Sequence, residues 1–579
     1  MKQTTSFSQR ANARTTEPQL QERWFLKPNY STNKDAFFLH DGPPYANGKV
    51  HMGHALNKVL KDTANRAASN PGRFVPGFDC HGLPTEMKVL QSLSDSEKES
   101  LTPFELRQKC REYATQAVEQ QKSAFQRLGV LADWDNAYLT MSPEYEAAQL
   151  EAFGELYFSG YLYRDLKETW WSESSQTVLA EAELEYAAGS EEPLDWRTKQ
   201  PVERRTTLQW FVSMENLLPQ ALAAAQDVDW GSPQAANRFL SMLKDRPDWC
   251  VSRQRVWGLP LPFFYDSQTH EPLLTRETLS HLCELFRAKT SDCWWELTTE
   301  ELLPPQYRNG SRYYKGTDTM DVWLDSGLSW YAVSKNYGLQ FPADAYLEGS
   351  DQHRGWFQSS LLTSVALTGK APYKRVVTHG FVLDENGRKM SKSEGNTLDP
   401  LEVMDTYSAD VLRLWALTQD HTKDLQAGER TMSESFEFYK KLRNTCRFGL
   451  SNLFDFAPEN RLPLSSLLPE DQEAVAASYD LREAMLSNFQ DFQFHPATKL
   501  LREYLSNTSA HWFGTEKTGL KARLYQFYED MGGTPDSYER RSGQTALELV
   551  LKNLTDALEP ALPHLATETK EYLFLKESF

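Results

Sequence analysis

Residues 36–69 read AFFLHDGPPYANGKVHMGHALNKVLKDTANRAAS, and this stretch decides the fold class. AFFL, residues 36–39, is a short apolar run that reads as a buried strand. A turn-rich segment from His40 to Gly48 follows, containing Gly42, Pro43, Pro44 and Asn47. From His51 onward, Met52, Ala55, Leu56, Val59 and Leu60 recur at helical spacing, which predicts a helix over HMGHALNKVLKDTANRAAS. Strand, tight loop and helix in that order open a doubly wound parallel α/β sheet. Ligands in such sheets bind at the carboxyl ends of strands.

A second α/β cluster comes late, as VWLDSG, AYLEGSDQHRGW and RVVTHGFVL, so the stretch between reads as insertions that split one sheet. From about residue 400 the pattern turns helical, with YSADVLRLWAL, ESFEFYKKLRNTCRFGLSNLFDF and TALELVLKNLTDALEPAL all on the 3.6 period. The clearest loop runs from Ala187 to Pro193. At 579 residues the chain has room for several domains. Its 40% hydrophobic and 25% charged content is that of a folded soluble protein, and no apolar run approaches a membrane span.

The N-terminal stretch has no apolar core for a secretory signal, and the early Glu17 and Glu22 disfavour a transit peptide. Six scattered cysteines show no CxxC spacing, so neither a zinc ribbon nor a disulfide framework is expected, and a reducing, cytoplasmic location is. A net charge of -18 excludes a nonspecific nucleic-acid binder but not an enzyme with one local basic surface.

Two motifs carry chemistry. His51 and His54 in HMGH are three apart and share one face of the helix's first turn. Free N–H groups and the positive end of the dipole attract phosphate there, and Gly53 lets a flat base approach the backbone. The second motif, KMSKS, places Lys389 and Lys392 on a polar loop flanked by Gly387 and Gly395. A cationic loop of that kind suits a reaction in which charge develops on phosphate only in the transition state. Either motif alone is also an ordinary packed His pair or a solvated loop.

Together, HxGH near the start and KMSKS after a split sheet resemble class I aminoacyl-tRNA synthetases. The fuller match is to the isoleucyl members, through HDGPPYANGKVHMGHALNKVLKD, PGFDCHGLPTE, TVLAEAELEY, DWCVSRQRVWGLPLP, DVWLDSG, YLEGSDQHRGWFQSSL, THGFVLDENGRKMSKSEGN and RNTCRFGLSNLFDF. The resemblance implies a catalytic core over 1–430, with Rossmann-type halves at about 1–150 and 318–400 and reduced insertions at about 151–317. A helical domain of anticodon-binding type then covers 431–579. It implies ATP with Mg²⁺, isoleucine and tRNA(Ile) as the working set, and a monomer without membrane attachment. His51, Gly53 and His54 would meet ATP, Lys389 and Lys392 the leaving pyrophosphate, and Asp79 the substrate ammonium. Gly42, Pro43, Trp323, Gln352 and Trp356 would form the side-chain pocket, with Glu348, Gly349 and Asp351 facing the amino acid and the adenosine ribose.

The chain departs from that family in three places. Only nine residues, Ala187 to Asp195, separate TVLAEAELEY from WRTKQPVERRTTLQWFVSM, where the family carries an editing domain. Nine residues cannot form a domain, so no editing is expected. Ser172-Glu173-Ser174-Ser175 stands where a metal-type CxxC is common, so no structural zinc is expected. No Cys-rich module follows Cys446. A second reading is a paralogue that makes an aminoacyl-adenylate for an acceptor other than tRNA. Arg443, Asn444, Arg447 and the Lys499, Arg502, Lys517, Lys521 and Arg523 cluster favour tRNA.

Overall fold

The computed structural model describes residues 5–26, 35–186, 190, 192–310, 312–390, 395–514, 519–525 and 536–574. Its centre is a parallel sheet in which Leu39–His40 pairs with Ala343–Gly349, and that strand with Tyr373–His379. Two segments some three hundred residues apart therefore lie side by side, which is the split sheet that the sequence predicts. Gly77–Phe78 and Tyr138–Leu139 form a second parallel pair, and parallel bridges at Phe37–Pro71 and Tyr45–Asp79 carry the layer across to it.

The regular strand begins at Leu39 rather than at Ala36. The Phe38 N–H donates to the Asp344 side-chain carboxylate (2.8 Å) instead of a backbone carbonyl, and the Phe37 N–H donates to the Asn70 carbonyl (2.9 Å) in the isolated bridge to Pro71.

The helix Met52–Ala67 packs on this sheet with Met52, Ala55, Leu56, Val59 and Leu60 all buried. Its polar side is buried too. Asp62 pairs with Arg413 at 2.7 Å, and Asn57, Lys58 and Lys61 face the sheet's loops.

The span between the sheet halves is built mainly on a β-ribbon. Leu162–Ser172 runs antiparallel to Glu203–Val212, with Thr177–Leu179 and Trp249–Cys250 on its edges. The short join at the deletion is a hairpin of Leu184–Tyr186 with Pro193–Asp195. Pro193 is therefore strand rather than loop, and residues 187–189 and 191 lie outside the described residues. At the ribbon's tip, Ser172 and Ser175 both donate to Asp195 Oδ2 at 2.6 Å, so the SxxS segment is tied by a buried carboxylate.

Beyond Gly428 the chain is helical: Glu429–Asn452, Pro469–Gln490, Phe494–His511, Tyr538–Leu558 and Pro563–Phe574 form one packed group. Several cations from the expected RNA-facing cluster are internal struts. Arg443 grips Glu568 through two 2.8 Å bonds, Arg523 grips Asp471 at 2.6 and 2.7 Å, and Arg447 donates to the Phe7 carbonyl. Arg502 lies over the Phe438 ring, and Lys517 falls outside the described residues. No helix among the described residues is long and apolar enough to cross a membrane.

Candidate active site

At the carboxyl ends of the parallel strands opens a cleft of about 630 Å³. Every expected site residue but one lines it: Gly42, Pro43, His51, Gly53, His54, Asp79, Trp323, Glu348, Gly349, Asp351, Gln352, Trp356 and Lys389. The exception, Lys392, lies outside the described residues. Lys389 is exposed, with its ammonium 5.9 Å from the Phe381 ring centre. Its loop is shaped by Asp384. That carboxylate accepts the Asn386 and Arg388 N–H groups and the Asn396 amide (3.0 Å), and these bonds, led by the one from the Arg388 backbone, pull its pKa down to about 2.

His51 caps the Met52–Ala67 helix. Its Nδ1 accepts the His54 N–H (3.3 Å), His54 Nδ1 accepts the His51 N–H (3.4 Å), and the rings stack 3.6 Å apart. With both Nδ1 atoms accepting, the network assigns each ring proton to Nε2. Burial, with His51, Lys58 and Lys61 nearby, drives the His54 pKa well below its ordinary value, so that ring is neutral at pH 7. Imidazole N–H groups at a helix N-terminus can donate to phosphate oxygens. Gly53 keeps this stack tight, because a Cβ there would sit 3.1 Å from the His51 ring.

Beneath the cleft lies a buried ion network that the motifs did not reveal. Lys58 and Lys61 both pair with Asp41, and Lys61 also pairs with Glu348 at 2.5 Å. Glu348 further accepts the Gly42 N–H (3.1 Å) and the Asn57 amide (2.8 Å). Burial would raise the Asp41 pKa, but the two lysines hold it below the usual carboxylate range. The sequence did hold a signal. Lys58 and Lys61 follow His54 by four and seven residues, putting two cations on the motif's own face of a buried helix.

The side-chain end of the cleft is rigid. Trp356 stacks on Tyr346 (4.1 Å, 9°) and its indole N–H donates to the Ser326 carbonyl at 2.9 Å. Gln352 accepts the Trp356 N–H at 3.0 Å and donates to Asp351 at 2.9 Å. Gly42 is required between these walls: a Cβ would lie 2.3 Å from Glu348 Oε1 and 2.9 Å from the Trp356 ring. Gly355 is likewise required against the face of Trp323, where a Cβ would come within 2.8 Å. Asp79, buried, accepts the Thr140 hydroxyl at 3.2 Å. Burial first, and the Asp325 carboxylate second, push its pKa well above the carboxylate range. A cation placed beside it would favour the ionised form and lower that pKa again.

Among the described residues, one group of three ligand atoms is close enough to share a metal ion: Glu17, Asp410 and His564. Its atoms are already engaged. His564 bonds Asp410 (2.7 Å) and Gln21 (2.8 Å), and Glu17 bonds Arg127 (2.7 Å), so it is a junction between the N-terminal helix and the helical region.

The family profile described as tRNA synthetases class I (I, L, M and V) matches residues 19–428, the span that holds the whole cleft. An isoleucine–tRNA ligase of Synechococcus sp. is 38% identical over 97% of this chain and 81% of its own length. The chain belongs to the isoleucine–tRNA ligase family of class I tRNA synthetases. An isoleucine–tRNA ligase of Cyanothece sp. is 37% identical over 98% of this chain and 81% of its own.

The Synechococcus alignment runs over 788 positions although this chain has 579 residues, so that ligase carries internal segments with no counterpart here. Solved structures support the class I fold. The LeuRS–tRNA–LeuAMS complex of Agrobacterium radiobacter K84 matches with TM-score 0.72 at 18% identity, over 97% of this chain and 89% of that one. Mycobacterium tuberculosis methionyl-tRNA synthetase with methionyl-adenylate matches with TM-score 0.67 at 18% identity, over 93% of each chain.

Proposed function

We propose that this cleft activates isoleucine with ATP and passes the acyl group to tRNA(Ile), without hydrolytic editing of the product. The observation that carries the reading is the convergence of the His51–His54 pair, Asp79 and the Trp323–Trp356 pocket on one cleft, in a chain of the isoleucine–tRNA ligase family.

In this reading Asp79 holds the α-ammonium by a charge-assisted bond. Pro43, Trp323 and Trp356 enclose the branched side chain, Gly42 gives it room, and Gln352 fixes Trp356. Glu348 holds Gly42 from below, and Gly349 and Asp351 face the ribose. The carboxylate of isoleucine attacks the α-phosphate in line, and pyrophosphate leaves with the Mg²⁺ that enters on ATP. His51 and His54 contact the ATP phosphates, and Lys389 and Lys392 stabilise the leaving pyrophosphate. No covalent enzyme intermediate forms, so the chain's work is positioning and charge stabilisation. The core is 1–430, and the helical domain 431–579 carries the tRNA.

The lack of editing rests on the short hairpin at 184–195 and on the alignment positions that this chain leaves empty. The second reading, an acceptor other than tRNA, gains from the internal placement of Arg443 and Arg523, which removes two cations from the expected RNA-facing surface. Charging of purified tRNA(Ile) with labelled isoleucine separates the two. Acid-stable label on tRNA supports the first reading. Pyrophosphate exchange without any charging supports the second.

A further inference from the structure

Behind Asp79 lies a group of ionisable side chains that the reaction as described does not use. His81, Asp325 and Glu146 are all buried, on three different elements. His81 Nδ1 meets Asp325 Oδ2 at 2.9 Å, and Nε2 points at Glu146 Oε1 from 3.6 Å. The ring edge packs on Trp257, with centroids 4.9 Å apart. Asp325 also accepts Gln149, and Arg111 lies 3.8 Å from Glu146 while serving Asp292 at 2.9 Å. The Thr140 hydroxyl donates to the Asp79 carboxylate at 3.2 Å, and His81 follows Asp79 by two residues.

The electrostatic problem is plain. Asp79 and Asp325 are both buried, and the Asp325 carboxylate disfavours charge on Asp79, a penalty that a cation beside Asp325 offsets. Asp321 adds to the load on Asp325. Among the described residues, the one cation in direct contact with Asp325 is His81. Burial would discharge the imidazole, but Asp325 and Glu146 outweigh it and bring its pKa up to about 9.

We propose that His81 is a positioning residue for amino-acid binding: an imidazolium clamped between Asp325 and Glu146 that balances Asp325 and so leaves Asp79 to carry the negative charge an α-ammonium needs. His81 touches neither substrate nor phosphate. It acts through Asp325 on Asp79. The inference rests on the reading that this cleft binds an amino acid.

The test uses the full chain and isoleucine-dependent pyrophosphate exchange near neutral pH. His81→Gln keeps size and polarity but removes the charge, so the Asp79 carboxyl, already raised by burial and Asp325, holds its proton more firmly. The KM for isoleucine rises about tenfold or more, as one unit of pKa implies, while the KM for ATP holds. Asp325→Asn in the same chain removes the unbalanced carboxylate, and the double variant recovers most of the lost isoleucine affinity. Asp325→Asn alone, which keeps His81, leaves isoleucine KM unchanged or lowers it.

A merely structural His81 predicts the opposite pattern: both KM values rise, and the second substitution adds damage. An unchanged isoleucine KM in His81→Gln, or a double variant no better than the single, overturns the proposal. If His81→Gln does not fold, a raised isoleucine KM in Asp325→Asn alone overturns it as well. Absence of isoleucine-dependent exchange in the unaltered chain defeats the functional reading instead.

Discussion

Lys61 lies 2.5 Å from the Glu348 carboxylate, with its ammonium wholly buried and also 2.6 Å from Asp41. One side chain of the motif helix thus joins the loop after the first strand to the carboxyl end of the strand Ala343–Gly349. Breaking a buried pair by removing one partner costs about 3–5 kcal/mol, because the other charges stay behind. Lys61→Met is therefore expected to lower the unfolding free energy by that order, with a lower urea midpoint, and to loosen both substrates together. Circular dichroism in urea and the two KM values check it. A stable variant with wild-type kinetics would contradict the role.

Gly42→Ala is expected to leave the fold intact and to weaken isoleucine binding. The added methyl falls on Glu348 Oε1 and the Trp356 ring, and displacing either disturbs the pocket. A loss of about 1.4 kcal/mol is a tenfold rise in Kd, and a loss of at least that size is expected in isothermal titration. Binding of ATP alone should change little.

Acid stability should depend on Asp292. Burial would raise its pKa, but Arg107 at 2.7 Å and Arg111 at 2.9 Å bring it down to about 2. A depressed folded-state value gives stability that is present above the ordinary carboxylate pKa of about 4 and lost as pH falls toward 2. The linked contribution is about 2–3 kcal/mol. Denaturant titrations at stepped pH values should show that loss, and Asp292→Asn should flatten the acid limb while lowering stability at pH 7.

Fidelity is the next expectation. A pocket that encloses isoleucine separates it from valine by one methylene, worth about 1–3 kcal/mol or 10–200-fold, a range set by isoleucine enzymes of this family rather than by this cleft. Pre-formed Val-tRNA(Ile) incubated with the chain should lose valine no faster than in buffer. Rapid enzyme-dependent deacylation would reveal a hydrolytic site elsewhere in the molecule.

Much of the cleft was legible because its residues sit in short, distinctive segments. HMGH and the Gly-Pro-Pro turn announce a strand–loop–helix unit, and the periodicity of Met52 to Leu60 fixes which face is buried. Hidden were the members that act through long-range pairing. Asp41, Lys58 and Lys61 look like ordinary charges until Glu348 is brought beside them across about three hundred residues, and no local pattern encodes that meeting. His81 stood in view next to Asp79 but lacked Asp325 and Glu146. The cations read as an RNA surface failed for the opposite reason. Arg443 and Arg523 carry charge at helical spacing, yet buried carboxylates on other helices claim them.

The most direct measurement is amino-acid-dependent exchange of label between pyrophosphate and ATP, run with isoleucine, valine, leucine and methionine on the purified chain. The rigid walls of Trp323 and Trp356, with Asp79 at the ammonium end, predict that isoleucine gives the highest kcat/KM, valine a lower one, and leucine and methionine little. Highest exchange with leucine or methionine, or none with any of the four, contradicts the assignment of this cleft.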